Sequence, residues 1–166
     1  MNISKQIVGY LQSRSLVLAC VETCTAGAIG AMLADQRGAS GCLDLGCIAH
    51  SEATIATLPG VNAQTIERGV LVSEAIAREA AEGVLVWRAG RASVALASIG
   101  LLTHEDEHGA HVTHCFAWAC SVGSRVLCAS ETVSFSGRRN EIRRSIARRA
   151  LLGLPRFVDS VFTRVM

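Results

Sequence analysis

Lysine is almost missing from this 166-residue chain: Lys5 is the only one, and arginine supplies every other cation. Chemistry that needs a lysine amine therefore has one candidate, far up the first segment. Long apolar runs are missing too. None approaches the roughly 18 residues that a membrane-spanning helix requires, and "MNISKQIVGY" lacks the charged-then-apolar order of a signal peptide. A cytoplasmic protein with no membrane partner is expected. The seven cysteines, Cys20, Cys24, Cys42, Cys47, Cys115, Cys120 and Cys128, contain no CxxC pair. They read as reduced, buried small hydrophobes rather than a disulfide framework. Aromatic residues are scarce, and none interleaves the arginine-rich stretch "GRRNEIRRSIARRAL". With a formal net charge of only +2, that scarcity points away from nucleic acid as a partner. Neither an internal repeat nor a low-complexity linker interrupts the chain, so residues 1–166 are expected to form one domain around one substantial core.

Half of the residues are hydrophobic, and their spacing alternates between helix and strand periods. Ile3, Ile7, Val8 and Leu11 predict a helix over 3–13. "SLVLACV" predicts a short strand buried on both faces, followed by a helix from Ala26 to about Ala34 and a loop "DQRGASG". "LDLGCIAH" predicts a second strand, and "SEATIATL" a short helix stopped by Pro59-Gly60. Ser73 is placed to cap a long helix that ends near Gly90. "ASVALASIG" predicts a further buried strand, "LLTHEDEHGAH" a loop, and 112–122 with 124–135 a hairpin turning at Gly123-Ser124. The arginine-rich helix then closes the fold, leaving a short tail past Pro155. This order implies a three-layer α/β/α domain with a mixed sheet.

One stretch does not fit a purely structural reading. In "VETCTAG", Glu22, Thr23, Cys24 and Thr25 crowd a strand-to-helix corner, where free helix N–H groups converge. A hydroxyl there is placed either to cap the helix or to act as a nucleophile beside an oxyanion site.

These residues carry a resemblance. "VETCTAG" is similar to the Ala-Glu-Ser-Cys-Thr-Gly-Gly motif of the CinA C-terminal domain family, which includes nicotinamide mononucleotide amidohydrolases. "FSGRRNEIRRSIARRAL" resembles the same family's Phe-x-Gly-Asp-Arg-x-x-Ile-Arg run. "RGASGCLDLGCIAHSEA" and "VSEAIAREAAEG" follow two further family segments, so the match runs from the first helix to about Leu154. The resemblance implies an α/β/α fold and a homo-oligomer. It also implies hydrolysis of a carboxamide by a serine in the first motif, helped by a lysine and a tyrosine from Tyr-Ser-Asn-Glu-Ala-Lys. By the same resemblance Glu22, Cys24, Thr25, Gly27, Ser51, Gly137, Arg139 and Arg143 are expected to bind the ligand.

The chain departs from that pattern where the chemistry sits. Thr23 stands on the serine, Ala26 on a glycine, His50 on the tyrosine, Glu52 on the asparagine and Ile55 on the lysine. The family's glycine-rich Gly-Ile-Ala-Gly-Pro-x-Gly-Gly loop has become "SIGLLTHEDEHG", which hinders close backbone approach to a nucleotide. Three readings follow. In the first the hydrolytic site has lapsed, and the domain binds a small anionic or nucleotide-like ligand. In the second Thr23 attacks an amide with His50 as base and Glu52 orienting it. In the third, "HEDEHGAHVTH", which places His104, His108, His111 and His114 close together with Glu105, Asp106 and Glu107, holds zinc or nickel through His104, His108 and His111, adventitiously or for regulation. "HEDEH" matches HExxH formally, but that motif works inside a helix, and here it lies in a loop. No cofactor is expected.

Overall fold

The computed structural model describes residues 2–102 and 105–165. Five strands form one mixed sheet in the order β2-β1-β3-β4-β5. β1 (Leu18–Glu22), β2 (Leu43–Ile48) and β3 (Val94–Ile99) run parallel, with β1 between the other two. β4 (Ala110–Val122) and β5 (Arg125–Gly137) extend the sheet antiparallel, as one long hairpin. The hairpin turns at Gly123, whose φ of 60° suits a residue without a Cβ.

Period-2 alternation divides the strands between two cores. Leu18, Cys20, Val94, Leu96, Phe116 and Trp118 face one side and pack beneath α1 (Ile3–Ser13), α2 (Ala28–Ala34) and α6 (Arg139–Val165). Ala19, Val21, Ala95, Ala97 and Ala117 face the other side, covered by α5 (Glu74–Trp87). The short helices α3 (Glu52–Ile55) and α4 (Ala63–Arg68) lie between β2 and α5 in the chain; Ile55 and Ile66 join this second core. The alanines let α5 pack close, through Ala77, Ala80 and Ala81. The three-layer α/β/α arrangement with a mixed sheet is thus present. Among the described residues, no helix is long and apolar enough to cross a membrane.

Two elements differ from expectation. The chain does not trail off after Pro155, because α6 continues through it to Val165. Leu151, Leu154, Val158 and Val161 keep the apolar face of α6 buried, and Tyr10 of α1 ties down the segment beyond the proline. Its hydroxyl donates to Asp159 Oδ1 at 2.6 Å. Arg14 stacks over the Tyr10 ring and pairs with the same carboxylate at 3.3 Å. Packing here outweighs the one helical hydrogen bond that proline removes. The second difference is α4, capped by the Asn62 side chain on the Gln64 amide; its six residues carry too little periodicity to be read from sequence.

Candidate active site

The strand order 2-1-3 means that the chain leaves β1 in one direction and returns to β3 on its other side. In open α/β sheets the crevice beyond the carboxyl ends of such strands is the usual ligand site. "ETCTAG" occupies that position, between the end of β1 and the start of α2. The functional question is how the corner is filled.

Glu22 is almost fully buried and serves the start of α2. Its Oε1 accepts from the Thr25 hydroxyl at 2.6 Å and from the Ile29 amide at 2.9 Å, and its Oε2 accepts from the Gly30 amide at 2.9 Å. A carboxylate against free helix amides is a stable arrangement, and it uses both oxygens. Gly27 takes φ 95°, and a Cβ there would lie 3.0 Å from Ile48, so this glycine sets the path of the backbone into the helix. Arg143 reaches from α6 to donate to the carbonyls of Cys24 at 3.1 Å and Thr25 at 2.8 Å. Glu22, Thr25, Gly27 and Arg143 therefore build the corner itself.

Thr23, the residue expected as nucleophile, has 0% exposure. Its hydroxyl donates to the Ser98 carbonyl at 2.8 Å and accepts from the Gly100 amide at 2.9 Å. Those partners lie at and just past the end of β3, so the side chain stitches the two strands together across the switch point. His50 comes to the same corner, but its Nδ1 lies 3.3 Å from the carbonyl oxygen of Thr23, not on the hydroxyl. Glu52 opens α3 as an exposed first-turn residue, and Ser51 caps that helix through the Thr54 amide. In this geometry no Thr23-to-His50 proton path is formed. Ile55, on the position that the resemblance gives to a lysine, is fully buried in the second core.

Sequence reading missed Ser98 at this corner and grouped the second residue, His114, with the loop histidines instead. His114 is fully buried on β4, on the same face as Phe116 and Trp118. Its Nε2 lies 2.6 Å from Ser98 Oγ and its Nδ1 3.9 Å from Cys24 Sγ. A Cβ on Gly100 would fall 2.0 Å from the ring, so only glycine admits the imidazole there. Cys24, His114 and Ser98 look like a nucleophile, base and orienting group. Burial nevertheless lowers the His114 pKa to about 3 and raises the Cys24 thiol to about 11. Both shifts favour the neutral forms, so at neutral pH the thiol keeps its proton. The signal available in the sequence was alternation: His114 has the parity of the buried aromatics.

The loop histidines part from His114. His104 lies outside the described residues. His108 and His111 are exposed and border a cleft of about 810 Å³ with Glu105, Asp106, Ser136 and Gly137. Residues 106–109 form a tight turn closed by an Asp106–Gly109 bridge, not a helix. Among the described residues, no three His, Cys, Asp or Glu side chains are grouped to hold a metal ion. Arg139, expected on an anion, instead meets Glu105, which accepts from its amide at 3.1 Å and its Nε at 3.4 Å. Gly137, just before it, has φ 137° and lies under Gly109.

Comparison with known proteins places this architecture. The CinA C-terminal domain model matches residues 1–158. The chain belongs to this family. A CinA-like protein of Akkermansia muciniphila is 30% identical over 156 residues, covering 92% of this chain and 36% of that protein. The chain thus spans about a third of the length of that longer relative. The nicotinamide-nucleotide amidohydrolase PncC of Enterobacter agglomerans is 33% identical over 144 residues, covering 86% of this chain and 85% of that one. Among solved structures, the competence damage-inducible protein A of Klebsiella pneumoniae has a TM-score of 0.76 at 27% identity, over 91% of both chains. The competence or damage-inducible protein of Enterobacter asburiae has 0.77 at 24%, covering 91% of this chain and 92% of that one. Within the CinA family, this chain is related to the PncC amidohydrolases.

Proposed function

We propose that this CinA-type domain has given up amide hydrolysis at its family site and binds a small anionic or nucleotide-like ligand. One observation carries the reading: the Thr23 hydroxyl is sealed between the Ser98 carbonyl and the Gly100 amide. An attacking hydroxyl must lose its proton to a base and reach an acyl carbon. Here the proton is committed to a backbone carbonyl, and the residue has no exposed surface. Three further features agree with it. Ile55 replaces the lysine expected from the family, His50 lies on a carbonyl, and the Cys24–His114 pair is neutral. Turnover is tested by ammonia release from nicotinamide mononucleotide, and ligand binding by calorimetric titration of the same compound. The proposal expects no ammonia above the protein-free control.

A second reading keeps the enzyme active, with Thr23 as nucleophile, His50 as base and Glu52 orienting it. The observation that favours it is the approach of the His50 ring to within 3.3 Å of the Thr23 backbone. A side-chain rotation at both residues would be needed to bring the two together.

A further inference from the structure

One helix is apolar on two faces. In α5 the run Val84-Leu85-Val86-Trp87 is unbroken, and at 3.6 residues per turn it cannot all meet the sheet. Val84 and Leu85 are buried in the second core, whereas Val86 is 69% and Trp87 54% exposed. Beside Trp87, the turn at Pro59-Gly60 presses on the helix at Gly83. A Cβ on Gly60 would lie 2.5 Å from Gly83 Cα, and one on Gly83 2.0 Å from the Pro59 carbonyl oxygen. This glycine contact leaves an apolar slot of about 360 Å³, lined by Pro59, Gly60, Gly83, Val86 and Trp87.

On its other side Val86 borders a second cleft, of about 520 Å³, with Val17, Leu85, Ala92 and Val126 among its walls. Among the described residues, Arg91 is the only charged side chain that lines either cleft, so covering them desolvates little charge. A continuous exposed apolar patch marks an interaction surface, and tryptophan is a common anchor of one. Val17 and Ser93, both on the second cleft, immediately precede β1 and β3. The patch therefore lies at the amino ends of the parallel strands, while "ETCTAG" lies beyond their carboxyl ends. Covering the patch leaves that corner open.

Two observations point to a second copy of this chain as the cover. The first is area. The chain exposes 8754 Å², against about 7,900 Å² expected of a monomer of its mass, 17.5 kDa. The surplus of roughly 900 Å² matches the roughly 800 Å² that each partner brings to a standard interface. The second is self-complementarity: Trp87 stands one helical turn from Gly83, on the same face. A twofold axis crossing α5 between these residues sets each Trp87 opposite the Gly83 slot of the other copy, so that knob and slot are both used twice. We propose that α5 forms a twofold interface between two copies of this chain, with each Trp87 seated in the other copy's Pro59-Gly60-Gly83 slot. This goes beyond the ligand-binding reading and stands without it.

The experiment is analytical sedimentation of the tag-free full chain across a dilution series. The wild type is expected at twice the chain mass of 17.5 kDa, dissociating on dilution. As it dissociates, tryptophan emission should shift to the red, because Trp87 is exposed in the free chain and Trp118 is buried in either state. Trp87→Glu puts a charge into the apolar slot and should weaken association by about 100-fold or more. Val86→Glu should do the same. Leu152→Glu, at an exposed apolar residue of α6, should dimerise as the wild type does. Thermal melts check that each variant is folded. A wild type that sediments as a monomer at every concentration would overturn the proposal and leave the patch to a different partner. So would folded Trp87→Glu and Val86→Glu variants that dimerise as the wild type does, or a loss confined to Leu152→Glu.

Discussion

Arg143 donates to the carbonyl of Thr25 at 2.8 Å, across 118 residues of sequence. With its second bond, to the Cys24 carbonyl, it clamps α6 onto the polar corner. This assigns Arg143 to holding the backbone, and its removal is expected to weaken the fold rather than a ligand contact. Arg143→Met keeps the apolar stem but strands two carbonyls, at a cost of about 1–3 kcal/mol. Arg144→Gln, one residue on, should stay within about 0.5 kcal/mol. Urea denaturation of the two variants separates these outcomes; equal stabilities would remove the clamp.

Thr23 gives a second test through its shape. Thr23→Val preserves the volume but leaves the buried Gly100 amide and Ser98 carbonyl without their partner, costing about 1–3 kcal/mol. Thr23→Ser keeps the hydroxyl and loses one methyl, at about 1 kcal/mol. Denaturant midpoints should therefore fall in the order wild type, Thr23→Ser, Thr23→Val. A valine variant as stable as the wild type would mean that the hydroxyl does not bridge β1 and β3.

His114 sets an acid limit. Its native pKa, lowered to about 3 by burial, lies below its ordinary value of about 6.5. Between those pH values the unfolded state binds the proton and the native state does not, so stability falls as pH drops. The slope approaches about 1.4 kcal/mol per pH unit. Above pH 6.5 the histidine contributes no pH dependence. Denaturation of the wild type and His114→Leu from pH 7 to pH 4 should show this slope only in the wild type. Parallel profiles would place the titration elsewhere.

Ile55 tests whether the family chemistry can be restored by one change. Ile55→Lys puts an amine among Leu58, Ile76 and Ala80 in the second core. The expected loss is about 3 kcal/mol or more, because a buried amine is either charged at great cost or forced neutral. Thermal melting checks it, and a variant as stable as the wild type would show that residue 55 reaches solvent.

Much of this architecture was legible because period and punctuation agreed. The 3–13 helix, the parallel strands and the Gly123-Ser124 hairpin all follow from apolar spacing between turn residues. The helix beyond Pro155 was not legible, since it depends on Tyr10 and Arg14 of a remote helix. At the site, the motif "ETCTAG" marked the right corner, but residue identities did not reveal which atoms face which. Glu22 and Thr25 turn toward α2, and Thr23 turns toward β3. The loop histidines drew attention in the sequence by their number. His114, which borders the corner, was hidden by counting it with them.

Ammonia release from nicotinamide mononucleotide by the wild type and by Thr23→Ala, at equal protein concentration, tests the central claim most directly. A sealed hydroxyl predicts no release from either beyond the protein-free rate. Sustained release by the wild type that disappears in a folded Thr23→Ala variant would contradict it, and would make Thr23 the nucleophile of an active amidohydrolase.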